Sequence, residues 1–160
     1  MDCRLSLQLD YDYVREPIQT RISLNEKILF EGNMEKTNWN FEVKAEEQNT
    51  LRIYLLNKKD GDTFVNKAGD IIKDTFIWVK SIMIDKRKLR YAINDISRII
   101  TDKGSEIKYA TYLSQNGYYE LRFELPIKNF LKRYYATWQT YKPVDVEKEI
   151  ANIDRFLEDL

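Results

Sequence analysis

The sequence predicts a mainly β protein, an antiparallel β-sandwich with a C-terminal α-helical extension. Three observations carry that reading. Apolar residues recur at every second position through the first half of the chain, and polar turns separate these runs. After Pro126 the period changes, and residues 146–160 carry an apolar stripe at helical spacing.

The elements follow in order. Leu5, Leu7 and Leu9 alternate with Ser6 and Gln8, and Thr20, Ile22 and Leu24 alternate with Arg21 and Ser23. Trp39, Phe41 and Val43, then Leu51, Ile53 and Leu55, repeat the pattern. Each set places apolar side chains on one face of a half-buried antiparallel strand. Asn25-Glu26, Glu31-Gly32-Asn33 and the polar run 46–49 supply turns between them. Further along, FIWVKSIMID (76–85) is more continuously apolar, which suggests burial on both faces. The run 85–88 reads as a turn into Leu89–Ile93. Segment 94–104 fits either a short helix, with Asn94 as its cap and Gly104 as its stop, or a strand. In residues 107–126, Asn116-Gly117 predicts a type I′ hairpin, with Tyr119, Leu121, Phe123 and Leu125 on one face and Tyr118, Glu120, Arg122 and Glu124 on the other.

Residues 129–141 form either a helix or an extended arm that Pro143 ends. The last segment reads as a helix: Asp145 caps it, and Val146, Ile150, Ile153, Leu157 and Leu160 share a face. The expected organisation is a β-sandwich domain over 1–126, followed by an aromatic segment and amphipathic helix over 127–160 that packs or docks.

Composition narrows the chemistry. A chain of 160 residues suits one domain and buries about 70% of its unfolded surface. Lys plus Arg and Asp plus Glu both number 26, so no global field draws in nucleic acid or an anionic membrane. Cys3 stands alone, and no internal disulfide forms. The N-terminus lacks the apolar run of a signal peptide, and no stretch is long enough to span a membrane. The absence of histidine removes the commonest general base, the commonest zinc ligand and every Ser-His or Cys-His pair. Five scattered glycines build no phosphate loop. Carboxylate pairs for glycoside hydrolysis depend on spatial separation, which sequence does not state.

The interval 55–85 holds Asp60, Asp62, Asp70 and Asp74. A calcium loop would use such oxygens, together with Asn57 and Asn66. EF-hand spacing is absent, because aligning Gly61 to its invariant glycine puts Leu56 and Lys58 at ligand positions. Lys58, Lys59 and Lys67 also lower the negative potential. A hairpin pairing Thr63-Phe64-Val65 with Asp70-Ile71-Ile72 across residues 66–69 explains the interval better. The run Lys86-Arg87-Lys88 with Arg90 reads as a solvated turn.

Aromatic residues exceed what a core requires. Tyr112, Tyr118 and Tyr119 surround Asn116-Gly117, and Tyr134, Tyr135, Trp138 and Tyr141 precede Pro143. For the second group the readings are subunit contact, packing on its own core and stacking on sugar rings.

The run 49–89 resembles small phage-encoded β-sandwich proteins that look like calcium-dependent xylan-binding modules. The match rests on Asn57, Gly61, Asp62, Thr63 and Asp85, with Lys86 where a glycine is usual. The resemblance implies a jelly-roll-like sandwich and a virion or host-surface context.

The expected function is therefore that of a non-enzymatic virion structural or accessory protein, a capsid or tail component acting through protein contacts. It would be made in the host cytoplasm, with no cofactor and no metal. Its partners would be other virion proteins or its own copies, with no nucleic acid and no membrane. The partner-binding candidates are Tyr134, Tyr135, Trp138, Tyr141, Ile150, Ile153 and Leu157. The alternative is a carbohydrate-binding module recognising a surface polysaccharide, in a calcium-dependent form or without the metal.

Overall fold

Two antiparallel sheets face each other in this computed structural model, which describes residues 1–90, 92–141, 155, 158 and 159. In the first sheet β1 (Asp2–Asp12) pairs with β4 (Asn38–Lys44) on one side and β8 (Phe76–Ile84) on the other. Beyond β8 lies β12 (Tyr112–Leu113), and β9 (Arg87–Lys88) also pairs with β8. The second sheet runs β11 (Glu106–Lys108), β10 (Ser97–Thr101), β13 (Gly117–Glu124), β5 (Gln48–Leu55), β2 (Gln19–Leu24), β3 (Lys27–Asn33). A separate hairpin joins β6 (Thr63–Val65) to β7 (Ile71–Asp74). The helices are α1 (Ala92–Asp95) and α2 (Ile127–Tyr141).

The period-two pattern places the core. Leu5, Leu7, Leu9, Ile77, Val79, Ile82 and Ile84 of the first sheet belong to one buried cluster with Ile22, Leu51, Ile53, Leu55, Tyr119, Leu121 and Phe123 of the second. The fold is thus an antiparallel β-sandwich, and α2 adds Ile127, Leu131 and Tyr135 to its core. Leu131 and Tyr135 fall on one helical face, which is why 127–141 is a helix and not an extended arm.

Turn chemistry is legible in two hairpins. Asn25 and Glu26 both take left-handed φ values, 49° and 67°, between β2 and β3. Asp85 and Lys86 repeat this with 48° and 67° between β8 and β9. A pair of left-handed residues matches the twist of the flanking strands. Lys86 holds its conformation without a glycine's freedom.

Three local expectations are corrected. Residues 107–126 are not a hairpin. β12 pairs with β8 of the opposite sheet, while β13 lies between β10 and β5. Asn116-Gly117 serves a different end: Asn116 receives the Lys58 N–H at 2.8 Å and donates to the Lys58 carbonyl at 2.7 Å. Gly117, at φ 141°, lets β13 approach β10, since a Cβ there would stand 2.2 Å from the Ile100 carbonyl oxygen. The alternation of β13 is as read, with Tyr119, Leu121 and Phe123 buried. Segment 94–104 is mostly strand β10, with α1 ending at Asp95 before it.

The third correction concerns β8. It is not buried on both faces, because Trp78 and Lys80 are exposed. Opposite β1, Gln8 pairs with Ser81 but Leu9 pairs with Val79, so Lys80 is an extra residue in a bulge. The bulge changes which parity faces inward, from Ile77 and Val79 to Ile82 and Ile84. That change of parity is what makes the segment look continuously apolar.

Candidate functional site

The bulge in β8 shapes the outer face of the first sheet. Phe76, Trp78 and Lys80 alternate outward with Ile77 and Val79 inward. Tyr112 of β12 sits directly opposite Trp78, on the edge strand. Its ring stacks on Phe76 with centroids 4.9 Å apart and meets Trp78 edge-on at 6.2 Å. Trp78 is 39% exposed and Tyr112 42%, which makes a band of rings open to solvent.

Polar groups border this band. On β1, Asp10 lies opposite Trp78 and Asp12 opposite Phe76. One strand further, Gln8 pairs with Asn38, and the Ser6 hydroxyl donates to Asn40 Oδ1 at 2.7 Å. Strands lie about 4.8 Å apart, so rings, carboxylates and amides occupy successive rows at that spacing. Lys80 Nζ stands 3.3 Å from the Trp78 ring centroid and 3.7 Å from Asp10 Oδ2. Burial, then the Asp74 charge, pushes the Tyr112 phenol above its ordinary value, so it stays a neutral donor. Flat apolar rings beside neutral amides and carboxylates suit a ligand with a C–H face and hydroxyl edges.

The acidic interval is an anchored hairpin, as expected. Asp62 accepts from the Lys59 N–H and from Arg15 Nε, each at 2.8 Å. These bonds, the backbone one first, hold its carboxyl below the usual range. Asp74 accepts from Lys58 Nζ at 2.5 Å, from the Thr63 hydroxyl at 2.7 Å and from the Thr75 N–H at 2.9 Å. The Asn66 side chain closes the tip by accepting from the Ala68 and Asp70 N–H groups, each at 2.9 Å. A calcium ion does not fit this arrangement, because the buried carboxylates already face a guanidinium and an ammonium. Among the described residues no three His, Cys, Asp or Glu side chains are grouped to hold a metal. Beyond the anchored base, Phe64, Val65, Ile71 and Ile72 are between 51% and 68% exposed.

The aromatic segment takes the following places. Tyr135 is buried in the core cluster. Tyr134 is half-buried, meets Tyr135 edge-on at 5.0 Å and donates its hydroxyl hydrogen to Asp95 Oδ2. Burial, then that bond, raises its phenol well above the ordinary range. The rings of Tyr134 and Tyr135 therefore contact the sandwich itself. Trp138 and Tyr141 belong to α2, but their side chains are outside the description, and Ile150, Ile153 and Leu157 lie outside the described residues. Of the candidates named from sequence for a sugar surface, only Tyr112 enters the exposed band. Phe76, Trp78, Asp10 and Gln8 were missed, and the parity change inside FIWVKSIMID was the signal that would have found them.

The second sheet carries a different polar cluster on its outer face. Glu120, 1% exposed, accepts from Arg52 Nε at 2.8 Å, Arg98 Nη2 at 2.5 Å and Arg122 Nε at 3.1 Å. Arg21 and Arg52 lie over the rings of Tyr54 and Tyr118 at 5.4 and 5.0 Å. These groups satisfy one another.

No protein-family model matches the chain, and no curated protein matches it in sequence. Two solved structures are similar in outline. One is a selenomethionine form of vCBM60, described as part of a link by circular permutation between two families of calcium-dependent carbohydrate-binding modules. It aligns at 9% identity over 74% of this chain and 89% of its own, with a TM-score of 0.49. The other is vCBM60 in complex with galactobiose, at 9% identity over 74% of this chain and 96% of its own, with a TM-score of 0.44. Likeness at this distance carries nothing about the ligand here, and the sandwich architecture stands on its own strand pairings.

Proposed function

We propose that this protein is a non-catalytic polysaccharide-binding module, with the outer face of its first sheet as the docking surface. One observation carries the reading. Phe76, Trp78 and Tyr112 form an exposed band of rings flanked by the carboxylates of Asp10 and Asp12 and the amides of Gln8 and Asn38. Rings supply area for the C–H face of a pyranose at low entropy cost, and the flanking groups orient its hydroxyls. No metal enters the reading.

Affinity electrophoresis on a panel of soluble polysaccharides tests it. Retardation is expected with at least one polymer and should persist in chelator. Trp78→Ala should weaken it about fivefold, matching the roughly 1 kcal/mol of one ring contact. Binding that is unchanged in Trp78→Ala, or abolished by chelator, would defeat the proposal.

A second reading has its own observation. The exposed apolar finger Phe64, Val65, Ile71 and Ile72 supports protein contact, the role of an accessory protein in a virion or another assembly. On that reading, light scattering on full-length protein should show an oligomer that the double change Ile71→Ser, Ile72→Ser dissociates while the circular dichroism spectrum stays the same. A monomer at all concentrations would count against self-assembly through this finger.

A further inference from the structure

We infer that the polysaccharide is acidic, its anionic group being taken beside Trp78 in a cationic cleft at the edge of the aromatic band. This rests on the polysaccharide-binding reading and names the ligand class for that site. The cleft, about 790 Å3 and open to solvent, is walled by the Trp78 indole, Lys80, Lys88 and Arg90, with Gln8 and Asn94 between them. Three cations meet there, and no carboxylate lines the cleft.

The elements explain the gathering. Lys80 is the extra residue of the β8 bulge. Lys88 is brought to β8 by the two-residue turn at Asp85-Lys86, where β9 pairs Lys88 with Met83. Arg90 follows directly in the chain, ahead of α1, which contributes Asn94. A basic run that reads as a solvated turn thus lies against an exposed tryptophan.

The position of Lys80 favours an anion over a neutral sugar. Its ammonium stands 3.3 Å from the Trp78 ring centroid, where a stacking sugar must sit. A neutral sugar displaces it and offers nothing in return, so the cation–π contact is lost. A carboxylate or sulfate on the sugar gives the displaced ammonium a charge-assisted partner, and Lys88 and Arg90 supply further donors. Asp10, 3.7 Å from Lys80, offsets one of the three cations and leaves the cleft positive.

Affinity electrophoresis of the full chain on polygalacturonate, its fully methyl-esterified form and an uncharged galactan separates this inference from the reading beneath it. Polygalacturonate should retard the protein at least tenfold more strongly than either uncharged polymer, and 0.5 M salt should reduce the difference, as screening at about 4 Å Debye length requires. Lys88→Gln with Arg90→Gln should remove the preference for acid while leaving any retardation by galactan as it was. Trp78→Ala should weaken every polymer that binds. Equal retardation by the esterified and acidic forms, or an unchanged preference in the double variant, overturns the acidic assignment and leaves polysaccharide binding standing. Failure of all three polymers to retard the protein overturns the acidic assignment, whereas the binding reading falls only when the wider panel also fails. Both variants change exposed residues, and circular dichroism confirms that each is folded.

Discussion

Glu120 is nearly sealed from solvent on the outer face of the second sheet, where the sequence places an ordinary solvated glutamate. Burial alone raises its carboxyl, but hydrogen bonds and charge from Arg52 and Arg98, with the charge of Arg122, more than offset that and leave it below its ordinary value. Glu120→Gln keeps the shape but leaves Arg52 and Arg98 without their counter-ion. Both guanidiniums are about a third exposed or less, so solvent recovers part of the loss. The expected destabilisation is about 2 kcal/mol by urea unfolding. A loss below about 0.5 kcal/mol would mean that the cluster contributes nothing to the fold. Period-two reading placed Glu120 on the correct face of β13, but not its three partners. Those come from β5, β10 and β13 itself, and adjacency between β10 and β13 is a property of the sheet order.

At the scale of the element, the bulge in β8 decides more than any turn. It keeps Ile77, Val79, Ile82 and Ile84 all inside and turns Trp78 and Lys80 outward. Deleting Lys80 restores a regular ladder, and then one of the two apolar pairs must face solvent. The deletion variant is expected to be insoluble or to lose its near-ultraviolet circular dichroism, whereas Lys80→Ala keeps the residue count and folds. A folded deletion variant would show that the strand can slip without cost. The hairpin β6–β7 was legible because its turn chemistry is local: Asn66 bonds its own neighbours and Gly69 takes a left-handed φ of 91°. The predicted hairpin at Asn116-Gly117 failed for the opposite reason. Both long edges of β13 are occupied by β10 and β5, and the chain before it crosses to the other sheet.

At the scale of the whole molecule, charge is balanced but individual carboxylates are not neutral bystanders. Glu120 and Asp62 both have lowered values in the folded state, against ordinary values of 4.5 and 3.8. The unfolded chain therefore binds protons first as pH falls. Their stabilisation is fully present above pH 4.5 and is lost as pH drops through that value towards and past the lowered ones. The urea midpoint is expected to be flat from pH 7 to about 5 and to fall steeply below 4. Glu120→Gln should flatten part of that fall. A midpoint that declines equally in wild type and variant would place the acid-sensitive groups elsewhere.

The sequence by itself determined the inward faces of β1, β2, β4, β5 and β13, the left-handed turns at Asn25-Glu26 and Asp85-Lys86, and the loss of histidine-based chemistry. Each depends only on residue type and on spacing along one strand. Tertiary structure alone decided that β12 leaves its sequence neighbour for β8, that Lys80 is an extra residue, and that Trp78, Tyr112 and the cations of β8 and β9 share one surface. Those facts turn on which strands lie side by side, and pairing between distant segments leaves no period in the chain to read.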